Sequence, residues 1–345
     1  PVRAVLGGYH SAISAPVASL AALYGVTQIS WGSTSPVLSN KDSYPYFVRS
    51  IPPDTLQGTA MWRFIEHFLV PAAAFAYARE PYGEGLFSIV TDLSMRVQQD
   101  FRIIGYGVRY MPGSQSYDPE EPRPSARLIK GSGVRFLFIA MTADQAQGFL
   151  PVLQEEGLLD GTVQLIGSEA VPFSTAPELL TVGYMHFAPL GRGGLWPKFR
   201  ELFSRMTLDD ALNAQYGLDR FEVPLSQARG RNLTATSFAN ADDLALESPF
   251  IFDAAYAAII AVNELLGEGV AIADIRGRTL LNKVLSVSFE GISGFVAFDR
   301  NGDRAGSYHL VNVQPGPVAR PAAIFDMHAQ SFVGIADTAL HWVSG

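Results

Sequence analysis

The sequence predicts an α/β protein built as two lobes, each a mainly parallel sheet flanked by helices. Short apolar runs alternate with amphipathic stretches along most of the chain, the rhythm of strand–helix–strand units whose parallel sheets are covered on both faces. The chain has 345 residues, long for a single core and ample for two. Hydrophobic residues make up 48% and charged residues 17%, the balance of a folded globular chain and not of a disordered one.

The elements follow in order. Residues 3–8 form an apolar run read as a buried strand, 12–24 an apolar helix stopped by Gly25, and 27–31 a second strand. Residues 55–68 read as a helix with Asp54 as its N-cap. A strand at 72–78 leads into a helix at 83–101, and strands at 103–110, 134–141 and 162–167 are separated by helices at 124–130 and 143–156. Helices at 197–206, 249–266 and 278–286 and strands at 295–299 and 307–313 complete the pattern. Residues 112–124, rich in Pro, Ser and acidic side chains, and the long polar stretch 218–246 read as surface loops. The apolar run 250–266 is broken by Asp253, Asn263 and Glu264, so it reads as a packed amphipathic helix and not as a membrane span. Pro1-Val2-Arg3 leads straight into Ala4-Val5-Leu6-Gly7 with no leader pattern, as expected of a piece of a longer protein.

Composition narrows the function. A net charge of -8 disfavours a nucleic-acid partner, which selects basic surfaces. With no cysteine there is no disulfide framework, thiolate metal site or cysteine nucleophile. Asn232-Leu233-Thr234 would accept a glycan in a secreted chain. The sequence has no His-Glu-x-x-His, Gly-x-Ser-x-Gly or phosphate-loop pattern, and its six histidines have no metal-ligand spacing. Asp299-Arg300-Asn301-Gly302-Asp303 starts like a calcium loop, but its sixth position is Arg304 and its twelfth is Leu310, so it reads as a tight turn. No catalytic residue, cofactor or metal is expected.

Four turns at strand ends carry the candidate site. Gly8-Tyr9-His10-Ser11-Ala12 opens a helix, whose first N–H groups and dipole favour a carboxylate; Ser11 either joins that site or caps its own helix. Trp31-Gly32-Ser33-Thr34-Ser35 follows a strand's C-terminal end, the edge where open α/β sheets bind ligands. Asp54, after Pro52-Pro53, either meets an ammonium group or serves as an N-cap. In Glu80-Pro81-Tyr82-Gly83-Glu84, Tyr82 either contacts a ligand or packs.

The run Thr27-Gln28-Ile29-Ser30-Trp31-Gly32-Ser33-Thr34-Ser35-Pro36-Val37-Leu38-Ser39-Asn40-Lys41 resembles the ligand-binding domains of class C G-protein-coupled receptors. So do Tyr44-Pro45-Tyr46-Phe47-Val48-Arg49-Ser50-Ile51-Pro52-Pro53-Asp54-Thr55-Leu56-Gln57, Tyr82-Gly83-Glu84, Leu165-Ile166-Gly167-Ser168-Glu169, Phe252-Asp253-Ala254-Ala255-Tyr256-Ala257 and Phe298-Asp299-Arg300-Asn301-Gly302-Asp303, in family order over nearly the whole chain. The resemblance implies a Venus flytrap of the periplasmic-binding-protein-like type I fold, with the N-terminal units of lobe 1 missing. Lobe 1 would hold residues 1–53 and 188–303, lobe 2 residues 54–187 and 304–335, and 336–345 would be a C-terminal tail.

In metabotropic-glutamate-like members the ligand's carboxylate sits on the counterparts of Ser11 and the backbone N–H groups of its helix start, here including Ala12. Thr34, in the turn with Gly32, matches a threonine on the amino-acid head group; Asp54 and Tyr82 match residues on the α-amino group; Glu169 stands where the family usually has Asp. Glutamate-type receptors place a lysine near Thr279 for the distal acid, so the resemblance implies a neutral or cationic α-amino acid as ligand. It further implies an extracellular sensing domain that signals by lobe closure, dimeric through lobe 1 (homo- or heterodimer), with membrane attachment only through segments outside this chain. The alternatives are a periplasmic or secreted amino-acid-binding protein serving a transporter, and a ligand-free structural module. The apolar set Ala15, Val17, Ala18, Leu20, Ala21, Ala22 and Leu23 on the first helix exceeds the one stripe a sheet contact needs, which suits an interface.

Overall fold

The computed structural model describes residues 2–97, 101–108, 122–205, 240–335 and 338–343. The sequon at Asn232 and most of the two polar loops lie outside the described residues.

Three strands, β1 (Ala4–Leu6), β2 (Thr27–Ser30) and β3 (Phe47–Arg49), form a small parallel sheet in the order β1-β2-β3. Helix α1 (Ser11–Leu23) crosses from β1 to β2 and ends before Gly25, whose φ of 62° suits glycine. On one face Ile29 and Val48 meet Ala254, Ala257, Ala261 and Leu265 of α7 (Ser248–Gly267) and Leu280, Leu281 and Val284 of α8 (Gly277–Ser286). The small side chains at 254, 257 and 261 share one helix face and let α7 lie close to the sheet. By length and composition α7 could also cross a membrane, but here that apolar stripe is packed on β2 and β3. On the opposite face Ala18 packs with Leu38 and Phe47, leaving Ile13, Leu20 and Leu23 of α1 exposed.

The second sheet has eight strands in the order β13-β12-β11-β8-β7-β6-β4-β5. Its strands β4 (Ala72–Ala78), β5 (Arg102–Val108), β6 (Phe136–Ala140), β7 (Gln164–Gly167) and β8 (Met185–Pro189) pair in parallel. Helices α2 (Asp54–His67), α3 (Pro81–Ser94), α4 (Arg123–Ser132) and α5 (Ala143–Glu155) cover its faces. Strand β6 shows why a continuous apolar run suits such a sheet: Leu137 and Ile139 enter one core and Phe138 and Ala140 the other. Beyond β8, β11 (Tyr308–Gln314), β12 (Val318–Asp326) and β13 (Ser331–Gly334) add on antiparallel. Helix α6 (Trp196–Phe203) and the hairpin β9 (Ser288–Gly291)–β10 (Gly294–Ala297) complete the fold.

Several boundaries differ from the sequence expectation. Helix α3 ends at Ser94, whose hydroxyl donates to the Thr91 carbonyl at 2.7 Å, a local bond that competes with helix propagation. Strand β3 is too short for periodicity to detect, and Arg320 and Pro321 interrupt the apolar pattern of β12. Residues 338–343 dock on the large sheet: Asn312 and His341 exchange bonds of 3.0 and 2.7 Å, and Trp342 packs on Phe68.

The chain passes between the sheets three times, and these passages are tied together. The Leu190 N–H donates to the Ser307 carbonyl at 3.0 Å, and the Arg49 N–H to that of Gly302 at 2.9 Å. Arg304 donates to the carbonyls of Ser50, Ser293 and Phe295 at 2.9, 3.1 and 3.0 Å. Asp253 accepts from the N–H groups of Ile292 and Ser293 at 2.9 and 3.0 Å. The Asp299–Asp303 segment is a tight turn, with the Asp299 carboxylate accepting from the N–H groups of Asn301 and Asp303 at 2.8 and 2.9 Å.

Candidate functional site

The C-terminal ends of β1 and β2 carry two loops that are laced together by small hydroxyls. The Gly8 carbonyl accepts from Ser30, Ser33 and Ser14 at 2.9, 3.1 and 3.2 Å. Ser11 opens α1 but does not cap it; its hydroxyl accepts from the Ser35 N–H at 3.1 Å, and His10, at the N-cap position, makes no side-chain cap bond. The start of α1 therefore keeps its positive dipole end directed at the cleft. Gly32 is required by a close approach: a Cβ there would lie 2.3 Å from the Tyr9 ring. Tyr9 packs against Trp31 with ring centroids 5.2 Å apart and donates to Glu247 at 3.3 Å.

Beneath these loops Arg49 is fully buried and bonds Asp303 at 2.7 Å and the carbonyls of Ser33 and Ser35 at 3.1 and 2.9 Å. Ser39 completes the network by donating to Asp303 at 2.6 Å. A buried ion pair with all its neighbours satisfied fixes the 33–35 turn far more tightly than a solvated loop would.

The opposite wall is built from the ends of β4, β6 and β7. Glu80 and Pro81 start α3, and Gly83 lets that start sit against the strands: a Cβ there would lie 2.4 Å from the Ala78 carbonyl oxygen. Tyr82, buried in this first turn, donates to Glu169 at 2.9 Å. Two bonds span the walls: Thr34 to Glu169 at 3.4 Å and Ser35 to the Pro81 carbonyl at 2.8 Å. The cleft between them is partly open to solvent, leaves a cavity of about 20 Å³, and is lined by Tyr9, His10, Ser11, Gly32, Thr34, Glu80, Tyr82, Thr142, Glu169 and Ala170.

Asp54 is not the N-cap expected from sequence. Pro53 takes that position, and Asp54 is the first helical residue of α2, fully buried behind the cleft wall. Its carboxylate accepts from Gln57 at 3.0 Å, and the same Gln57 amide nitrogen donates to Glu169. Gln57 Oε1 accepts the Glu169 N–H at 2.9 Å, so the amide's orientation is fixed. Burial raises the Asp54 pKa well above its ordinary value, helped by the charge of Glu169 and opposed by the proximity of Thr34, the charge of Arg49 and the bond from Gln57. Burial likewise pushes Glu169 up to about 7, against bonds from Tyr82, Gln57 and Thr34 that favour its ionised form. The Tyr82 phenol is raised by burial and by these two carboxylates.

Of the residues singled out from sequence, Ser11, Gly32, Thr34, Tyr82 and Glu169 line one cleft. Ala12 is exposed on the next position of α1, and Asp54 sits behind the lining and acts on it through Gln57. Thr279 lies elsewhere, on a separate pocket with Val2, Tyr24, Gly25 and Arg276, so its lack of charge says nothing about this cleft. Sequence reasoning did not single out Tyr9, His10, Glu80, Thr142, Ala170 or Gln57, although these line or brace the same cleft. Tyr9 and His10 stand beside Ser11 at a strand-to-helix turn, a signal that could have found them; Gln57 in mid-helix carries no such signal.

A family model described as the receptor family ligand binding region matches residues 1–316. Metabotropic glutamate receptor 6 of Oryctolagus cuniculus is 26% identical over 91% of this chain and 38% of its own length. Metabotropic glutamate receptor 8 of Homo sapiens is 25% identical over 91% of this chain and 36% of its own length, and metabotropic glutamate receptor 4 of Macaca fascicularis 26% over the same shares. The chain thus spans well under half the length of these relatives. A parallel-sheet fold with two laced loops facing a tyrosine–carboxylate wall agrees with that match, and the chain belongs to the receptor family of ligand-binding regions, in its class C, metabotropic-glutamate-receptor-like branch.

Proposed function

We propose that the chain is an extracellular ligand-sensing module, that a neutral or cationic α-amino acid occupies the cleft, and that signalling follows lobe closure. The observation that carries this reading is the polarity of the cleft. One side offers the N-terminal end of α1 and the Ser11 hydroxyl, suited to a carboxylate; the other offers Tyr82 and Glu169, suited to an ammonium group. Among the described residues lining the cleft, Glu80 and Glu169 are acidic and there is no Lys or Arg, which favours a cationic or neutral ligand over an acidic one.

Lobe 1 then comprises residues 1–53 and 188–303 and lobe 2 residues 54–187 and 304–335, with the three tied passages as the hinge. A ligand bridging Ser11 and Tyr82 stabilises the closed form by its higher affinity for that form, and the Thr34–Glu169 and Ser35–Pro81 bonds are contacts that closure forms. The relatives are receptors by name, which favours a sensor over a transporter's binding protein or a ligand-free module, and none of them supports a periplasmic setting. Exposed Ile13, Leu20 and Leu23 on α1 suit a two-fold contact through lobe 1, and a monomeric intact ectodomain in sedimentation would contradict it.

A thermal-shift screen against the common amino acids tests the reading. Neutral or basic amino acids should raise the melting temperature, and Asp54→Ala should weaken binding by about 1–3 kcal/mol by removing charge and the Gln57 anchor. A response confined to acidic amino acids would refute the ligand class.

A further inference from the structure

Asp54 and Glu169 approach one another as two carboxylates round a single nitrogen. The Gln57 amide nitrogen lies 3.0 Å from Asp54 Oδ1 and also donates to Glu169 Oε2. That nitrogen is the amide's only donor atom, because Gln57 Oε1 accepts the Glu169 N–H. Asp54 Oδ2 is buried and has no hydrogen-bond partner among the described residues. Among the described residues that bond the pair or line its cleft there is no Lys or Arg. From α2 come Asp54 and Gln57, from the turn after β2 Thr34, from α3 Tyr82, and from the loop after β1 Tyr9; Tyr308 of β11 is also in electrostatic reach. Glu80 and His10 line the same cleft. Arg49 of β3 acts on Asp54 electrostatically but is itself bonded by Asp303 and the carbonyls of Ser33 and Ser35.

Two carboxylates this close in a buried site without a counter-ion do not both ionise. We propose that Asp54 and Glu169 form a proton-binding site, in which one shared proton occupies the ligand-free cleft and is displaced by the ammonium group of the ligand. This deepens the proposed function and rests on its amine reading. The chemistry is an exchange of one cation for another: the proton leaves to solvent, both carboxylates become ionised, and the ammonium replaces the proton as the single positive charge at the pair, with Tyr82 as a further partner. The unpartnered Asp54 Oδ2 and the burial that raises both carboxylates agree with a resident proton.

The direction of the pH dependence follows. The ammonium of an α-amino acid keeps its charge across the neutral range, so only the site titrates. As pH falls below the upper step of the pair, the proton competes and apparent affinity drops about tenfold per pH unit; above that step affinity is flat.

The first test needs no ligand. Carboxyl carbons of the ligand-free protein are titrated by NMR from about pH 4 to about pH 9. One carboxyl should titrate near neutrality in the wild type. That step should vanish in Glu169→Gln and move toward the ordinary carboxylate range in Asp54→Asn. If every carboxyl of the wild type titrates below about pH 5.5, no proton is shared and the proposal falls. The second test uses L-alanine in calorimetry. Affinity should drop about tenfold per pH unit on the acid side of neutrality in the wild type and lose that slope in Glu169→Gln, with proton release visible as a dependence on buffer ionisation heat. A flat wild-type profile overturns the competition. Absence of L-alanine binding at every pH overturns the amine reading and the displacement with it, while the NMR titration still decides by itself whether the proton is there.

Discussion

The two walls of the cleft are made accurate by different physics. On the small-sheet side the ligand-facing turns hang from buried polar groups: Arg49 and Asp303 hold the 33–35 turn, and Ser14, Ser30 and Ser33 converge on the Gly8 carbonyl. On the large-sheet side the wall is carried by apolar packing, with Phe64, Phe75, Phe138 and Phe187 fully buried and Phe75 stacked on Phe138 at 4.6 Å. A polar hub is directional and fails when one partner is lost, whereas an apolar core tolerates exchanges that keep volume. The side with three strands thus achieves its precision with bonds, and the side with eight with bulk.

The sharpest way to break this comparison is a pair of near-isosteric exchanges. Asp303→Asn removes the charge that balances fully buried Arg49 and should cost about 3–5 kcal/mol in chemical denaturation. Leu137→Met, equally buried in the large-sheet core, should cost less than about 1.5 kcal/mol. Equal costs would show that the two halves do not differ in kind.

A smaller effect sets two groups of the large-sheet side against each other by pH. His186 on β8 is buried in the large sheet, and burial lowers its pKa to about 4. A depressed pKa means that the folded protein releases the proton more readily than the unfolded chain. The stability it represents is full above the unfolded value of about 6.5 and is lost as pH falls toward 4, amounting to about 3 kcal/mol. Glu169 has the opposite sign: its raised pKa gives stability that is full below about 4.5 and is lost as pH rises through about 7. The two therefore oppose each other between about pH 4.5 and 6.5. In Glu169→Gln the acid loss from His186 should stand out as a steeper fall in melting temperature over that window. An unchanged slope would mean that Glu169 is not a raised group.

Much of the fold was legible because parallel strands buried on both faces write continuous apolar runs, as Phe136-Leu137-Phe138-Ile139-Ala140 does. The antiparallel edge was not: Arg320 and Pro321 in β12 face solvent and erase the pattern. Ser11, Tyr82 and the turn that holds Thr34 stood out because strand-to-helix turns fall at one edge of a parallel sheet, whereas Glu169 and the role of Thr34 came only from the resemblance to class C receptor domains. The expectation that Asp54 caps its helix failed, since a Pro-Pro-Asp-Thr string does not reveal that Pro53 takes the cap position and the carboxylate turns inward. Gln57 and Arg49 were invisible as organisers, because each acts on residues distant in sequence: Gln57 bonds Glu169, 112 positions away, and Arg49 bonds Asp303, 254 away. A polar residue in a helix or strand reads as a solvated one until the fold supplies its partner.

The measurement that bears most directly on the central claim is calorimetric titration of L-alanine, L-lysine and L-glutamate into the protein and into Tyr82→Phe. The account predicts that L-alanine or L-lysine binds, that L-glutamate is the weakest of the three, and that loss of the Tyr82 hydroxyl weakens binding about tenfold by removing one hydrogen bond at the ammonium end. Tightest binding of L-glutamate, or an affinity indifferent to Tyr82→Phe, would contradict it.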